Sequence, residues 1–219
     1  MNRRTLPAAA ALATAAALLL TACGGGDDHK STKPDKIAGA DEGASKSPSP
    51  SASASSGAPG RPKVTLPSDV SDTFSPEKTG DATQDAILGD NAAYVRALDA
   101  AIVASKPELP ALEFYTEGEG AASSQEWVQS FVDSGRTITG ATRYYNRKVT
   151  VKNKTAASIS YCGDESKGYS KVIKTGKIEK TKVTNQSYVA YGVQVQRNAQ
   201  GVWETMKISS ARGAASCQP

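Results

Sequence analysis

Val189-Ala190-Tyr191-Gly192-Val193-Gln194-Val195-Gln196 places apolar residues at the odd positions and small or polar ones at the even positions. Successive side chains on a strand point to opposite faces, so this period predicts a strand with one buried and one wet face, as in an antiparallel sheet. Around it, from Gly135 to the C-terminus, β-branched and aromatic residues dominate. Strands are expected over 137–152, 156–162, 169–174, 177–184, 187–197 and 202–209, with turns at 153–154, 175–176 and 198–201. The first is irregular, because Arg143, Tyr145, Arg147, Val149 and Val151 share parity. A bulge between Tyr145 and Val149 reconciles them.

Upstream the period is helical. Ile87, Tyr94, Val95, Leu98, Ala101 and Ile102 form one stripe of a helix expected over 83–105, with Thr83 as N-cap and Lys106-Pro107 as stop; Asp85, Asp90, Arg96 and Asp99 take its polar side. A short helical turn carries Leu109, Leu112, Phe114 and Tyr115 and breaks at Gly118 and Gly120. A third helix is expected from Ser123 or Ser124 to Ser134, with Ser123 and Glu126 spaced as a capping box and Gly135 as its end. Helices followed by a meander predict an α+β domain over 82–219, the N-terminal helices packed on a curved antiparallel sheet.

The N-terminus has another character. Arg3 and Arg4 precede a 13-residue apolar run over 8–20, and Leu20-Thr21-Ala22-Cys23 follows at its end. At about 1.5 Å per residue the run reaches roughly 20 Å, short of a hydrocarbon core of roughly 30 Å, so it reads as a signal peptide over 1–22 and not as a spanning helix. Leu20-Thr21-Ala22-Cys23 resembles the bacterial lipobox, which implies that Cys23 is lipidated and becomes the first mature residue, anchored at the outer face of the cytoplasmic membrane. The alternative is ordinary cleavage with an incidental cysteine. The Arg pair leaves the general secretory and twin-arginine routes both open. From 23 to 81 the chain is Gly, Ser, Ala, Pro, Lys and Asp around Ser47-Pro48-Ser49-Pro50, too poor in large apolar residues to offset its ordering entropy, and is expected to be a disordered tether.

Three cysteines are present, and with Cys23 consumed by lipid, Cys162 and Cys217 remain as a disulfide pair, the alternative being two free buried thiols. Their bridge would close a loop of 55 residues, worth about 4 kcal/mol in the chain-entropy model. The single histidine, His29, lies in the tether, so histidine-based catalysis and histidine metal sites are excluded from the domain. Neither a Ser-Lys spacing nor a calcium-type Asp/Asn loop is present, and no metal or other cofactor is expected.

Charge is uneven. Nine acids against two bases fall between Asp85 and Asp133, while eleven bases against three acids fall between Arg143 and Lys182. Lys171, Lys174, Lys177 and Lys180 recur every third residue and read either as a basic surface for anionic lipids or wall polymers, or, as preferred, as edge-strand lysines that block aggregation. Nucleic acid is not an expected partner outside the cell.

Tyr115-Thr116-Glu117-Gly118, Val149-Thr150-Val151, Tyr161-Cys162-Gly163-Asp164, Lys174-Thr175-Gly176-Lys177, Gly201-Val202-Trp203 and Cys217 resemble motifs of actinobacterial, especially streptomycete, secreted lipoproteins of unassigned function. Those are similar in outline to the nuclear transport factor 2-like cone fold. The resemblance covers about 82–219 and implies a cone with a pocket between helices and sheet. Some relatives use that pocket for isomerase or cyclase chemistry with a carboxylate base and a tyrosine donor. Carried to this sequence, the candidates are Glu204 with Tyr94, Tyr115 or Tyr191; in the preferred alternative Trp203 and Thr205 point inward and Glu204 faces water. Relatives commonly carry an acid where this chain has Tyr161 or Gly163, so no role passes to those positions. The expectation is a non-enzymatic, membrane-anchored binding or accessory lipoprotein of the cell envelope, with a pocket isomerase as the rival.

Overall fold

The computed structural model describes residues 60–219. The signal peptide, Cys23, His29 and the tether up to residue 59 lie outside the described residues. One mixed sheet runs β1 (Val70–Phe74), β2 (Arg136–Val151), β3 (Ala156–Val172), β5 (Tyr188–Arg197) and β6 (Trp203–Arg212), with the two-residue β4 (Ile178–Glu179) paired to the end of β3. Helices α1 (Ala82–Ala104), α2 (Pro110–Glu113) and α3 (Gly118–Asp133) precede β2 in the chain, and α1 and α3 both contact β2 and β6. Among the described residues no helix is long and apolar enough to cross a membrane.

β5 has the expected faces: Val189, Val193 and Val195 are buried, while Gln194 and Gln196 are exposed. Its partners are antiparallel on both sides. The irregularity expected in β2 is present as a register shift between Tyr145 and Lys148, with Asn146 at φ 53°, a value that asparagine tolerates better than most residues. A second shift between Ala141 and Arg143 and a third between Gln194 and Val195 add to the bending of the sheet.

Four expectations are corrected. The sheet is mixed, because β1 pairs β2 in parallel from Val70 opposite Gly140 to Phe74 opposite Tyr144. That strand lies inside the stretch expected as tether, so ordered structure begins before residue 82; a five-residue strand with only two large apolar side chains, Val70 and Phe74, gives little sequence signal, yet its partner strand satisfies its backbone. The strands expected at 156–162 and 169–174 are one strand, β3, and the strand expected at 177–184 shrinks to β4. Finally, α3 begins at Gly118, so Ser123 and Glu126 sit inside it instead of capping it.

The early start of α3 has a local cause. The Glu117 N–H donates to Thr205 O, and the Thr205 N–H donates to Tyr115 O, clamping the entry of α3 to β6. A Cβ at Gly120 would stand 2.1 Å from Thr205 O, so only glycine permits this approach. α1 is capped by Asp81, whose carboxylate accepts from the Gln84 N–H, and ends at Ser105 in the left-handed region before Lys106-Pro107.

The dry core gathers Ile87, Leu88 and Tyr94 of α1, Leu112, Val128 of α3, Ile159 of β3, Val193 and Val195 of β5, and Trp203. Cys162 and Cys217 are bonded with their Cα atoms 5.4 Å apart, which fastens the C-terminal tail to β3. Tyr145 donates its hydroxyl to Cys217 O beside the bridge.

Candidate functional site

The helices do not close on the whole sheet. Between the C-terminal half of α1, α3 and the strands lies a cavity of about 610 Å³. Its helical wall is Tyr94, Val95, Leu98, Asp99 and Ile102 from α1 and Ser124, Trp127 and Phe131 from α3. Trp127 is half exposed at the rim and meets Phe131 edge-on at 5.3 Å.

Three tyrosines from adjacent strands cluster on the sheet side. Tyr161 and Tyr191 stack at 5.0 Å, and Tyr144 meets Tyr161 edge-on at 5.9 Å. Gly163 makes room for this cluster, since a Cβ there would stand 2.9 Å from Tyr191 Cε2. Burial pushes the hydroxyls of Tyr144, Tyr161 and Tyr191 up, so all three remain protonated donors. Tyr191 Oη donates to Glu165 Oε1 at 2.9 Å, and Arg212 holds the other oxygen of Glu165 at 2.7 Å. On the helical side, Tyr94 Oη and Ser124 Oγ are 2.9 Å apart.

Asp72 of β1 and Asp99 of α1 meet across the cavity wall, their carboxyl groups within hydrogen-bonding reach of each other. Asp72 Oδ2 is buried without a hydrogen-bond donor of its own. No arginine or lysine forms an ion pair with either group among the described residues; the nearest positive charge acting on Asp72 is Arg96, which lies over the Phe74 ring at 4.6 Å. Burial pushes Asp72 up to about 6. It raises Asp99 further, with the charges of Asp72 and Glu165 adding to the effect. Two carboxyls in contact cannot both ionise cheaply, so the pair holds a proton at neutral pH and carries one negative charge.

Of the sequence candidates, Tyr94 and Tyr191 line this cavity. Tyr115 and Glu204 do not: Tyr115 is buried against Phe114, and Glu204 accepts from Asn198 Nδ2 at 2.7 Å while its neighbours Trp203 and Thr205 point inward. Glu204 therefore cannot serve as a base in this pocket. Sequence reasoning missed Asp72, Asp99, Glu165, Tyr144 and Tyr161. A signal for Asp99 existed, because it falls four residues after Val95 and three before Ile102, on the apolar stripe and not across from it.

The four lysines are not equivalent. Lys171 reaches Asp69 at 2.7 Å, Lys180 lies 6.0 Å from the Tyr169 ring, and Lys174 and Lys177 are exposed around the turn before β4. No group of three or more His, Cys, Asp or Glu side chains is placed to hold a metal ion among the described residues.

No family model matches the chain, and no curated protein matches it. Among solved structures, a ketosteroid isomerase-like protein from Erwinia carotovora atroseptica SCRI1043 is similar at 14% identity, covering 60% of this chain and 97% of that one with a TM-score of 0.42. The intermembrane space region of the chloroplast protein ARC6 is similar at 10% identity, covering 62% of this chain and 99% of that one with a TM-score of 0.40.

Proposed function

We propose that this chain is a lipid-anchored extracytoplasmic lipoprotein whose domain binds a small, largely apolar molecule in the cavity between α1, α3 and the sheet. The single observation that carries the binding half of this reading is the cavity itself: about 610 Å³ falls within the roughly 300–1,000 Å³ typical of ligand sites, and its apolar wall is interrupted by a few convergent polar groups. The envelope half rests on Leu20-Thr21-Ala22-Cys23 after an apolar run too short to span a bilayer. Two acyl chains on Cys23 would hold the protein stably where one chain would be marginal. Cys23→Ala releases the protein from the membrane fraction or stalls it unprocessed; wild-type fractionation and migration of the variant would remove the anchor. Native mass spectrometry of the full chain from its own membranes reports a bound small molecule if the pocket reading holds, and an empty protein counts against it.

A second reading, a pocket enzyme of isomerase type, is favoured by one specific observation. The Asp72 and Asp99 carboxyls line the same cavity as the protonated tyrosine hydroxyls, and an acid raised toward neutrality by burial is suited to accept a proton from a bound substrate. Glu204 is not the base in this version. Its test is proton–deuterium exchange from solvent into a carbonyl compound held in the pocket: exchange lost in Asp72→Asn supports an enzyme, and no exchange in wild type supports a binding protein.

A further inference from the structure

We propose that the cavity selects an organic cation, a molecule with an apolar body and a protonated amine, and seats the amine against the Asp72–Asp99 pair. This rests on the pocket-binding reading above and gives its ligand a chemical class.

The first ground is the charge left over after internal pairing. Glu165 is held by Arg212 at 2.7 Å and Glu179 by Arg136 at 2.8 Å, so neither offers a free charge to a ligand. Arg212, the only basic residue lining the cavity among the described residues, is thereby occupied as well. Of the acids lining it, Asp72 and Asp99 alone lack a basic partner within ion-pair distance among the described residues. The remaining titratable groups that face them are Arg96 and Tyr94 on α1, Tyr144 on β2 and the Arg212-held Glu165 on β3, while α3 contributes only serines and aromatics to this wall. An uncompensated negative charge in an apolar cavity repels anions and gives a cation a partner that water would otherwise supply.

The second ground is the geometry of the acceptor and of the rings beside it. Asp72 Oδ2 is a buried acceptor that no N–H or hydroxyl reaches among the described residues, so it depends on the proton held with Asp99. An ammonium N–H would satisfy it. The tyrosine cluster beside it strengthens the case, since aromatic rings attract cations through their quadrupoles.

Below about pH 6 both carboxyls carry a proton, and seating a cation displaces the one on Asp72 to solvent, so binding and proton release are linked there. Affinity should rise with pH until Asp72 is fully ionised, by about tenfold between pH 5 and pH 7.5. An uncharged ligand of the same shape shows no such slope.

The test uses the full chain in lipid nanodiscs with three probes of one shape: 1-adamantylmethylammonium, 1-adamantanemethanol and 1-adamantanecarboxylate. Titration calorimetry at pH 7.5, with empty nanodiscs subtracted, is expected to show the ammonium binding at least tenfold more tightly than the alcohol and the carboxylate more weakly than both. Asp72→Asn combined with Asp99→Asn should erase the ammonium preference while the alcohol still binds, and Asp99→Asn alone, which leaves the single charge on Asp72, should keep it. Should those variants fail to fold, wild-type ammonium titrations in buffers of different ionisation heat still count the released proton near pH 6. Equal affinity for ammonium and alcohol, or a pH-independent ammonium affinity, overturns the cation inference and leaves the pocket reading standing. Absence of binding by all three overturns both.

Discussion

Asp90 and Asp99 stand on the same helix, α1, and meet burial in opposite ways. Asp90 lies at the closed end, where Arg61 Nε and Nη2 each donate to it at 2.8 Å and the Trp203 N–H adds a third bond at 2.9 Å. Its charge is matched and its acceptors are filled. Asp99 lies at the open end against another carboxyl, with no base to match it and a cavity in front of it. Buried acids of the first kind fix a structure, here by tying residue 61 and the start of β6 to α1. Those of the second kind cost stability and persist where a site needs them.

The largest effect should fall on the closed end. Asp90→Ala leaves the Trp203 N–H buried and unpaired and strands the Arg61 guanidinium, whose side chain is 19% exposed. Removing one partner of a buried, hydrogen-bonded pair costs about 3–5 kcal/mol, with the lower end expected here because Arg61 can swing to water. Urea denaturation at neutral pH measures it. A cost under about 1 kcal/mol, or an equal cost for Asp99→Ala, would erase the distinction between the two acids.

Next in size is the disulfide, which separates the two faces of the sheet. Cys162 follows Tyr161 on β3 and so points away from the cavity that Tyr161 lines. Removing the bridge with Cys162→Ser and Cys217→Ser is expected to cost about 2–4 kcal/mol through its 55-residue loop while leaving any pocket ligand bound. Thermal unfolding with and without reductant checks the first part. Loss of ligand in the folded double variant would show that the two faces are coupled.

The contrast between the acids also explains what can be read from the chain. Period-two alternation in 189–196 and the parity break at Tyr145 are local patterns that the pleat enforces, and both are seen in β5 and β2. The disulfide follows from cysteine count once Cys23 is set aside. Local reading puts Asp90 and Asp99 alike on the polar side of α1, because a charged residue on a helix is usually solvated; neither Arg61, the basic partner of the first, nor Asp72, the acidic partner of the second, is near in sequence. β1 is hidden for the same reason. Val70 and Phe74 make a strand only because Gly140 to Tyr144 lies beside them, far along the chain. Long-range pairing, more than local propensity, builds the site.

A smaller effect, with a definite sign, should separate the acids by pH. Asp72 and Asp99 bind protons more tightly in the folded chain than an ordinary carboxylate does in the unfolded one. Their contribution to stability is therefore fully present below the usual carboxylate range and is lost as pH rises, for Asp72 through about 6 and for Asp99 at higher pH. Asp99→Asn, which needs no proton, is expected to equal wild type near pH 4 and to exceed it in stability at pH 7.5, because the folded wild type must then either keep a proton that the unfolded chain has released or bury a charge. Denaturation curves across that range decide it. If Asp99→Asn instead loses stability as pH rises relative to wild type, the carboxyl is acting as a matched structural acid like Asp90.

The smallest expected change belongs to a pair with neither kind of burial. Lys207 Nζ stands 2.9 Å from Glu119 Oε1, a shorter approach than many, but the side chains are 50% and 65% exposed. Water screens that attraction and both long side chains lose freedom to hold it, so Lys207→Gln should cost less than about 1 kcal/mol. Whatever it contributes should vanish between 0.1 M and 1 M salt, where the screening length shortens from about 10 Å to about 3 Å. Asp90→Ala should keep nearly all of its cost over the same range, because no salt ion enters between Asp90 and Arg61. Equal salt sensitivity for the two variants would mean that the closed end is wet, and that distance alone, without burial, sets the worth of a charge pair in this domain.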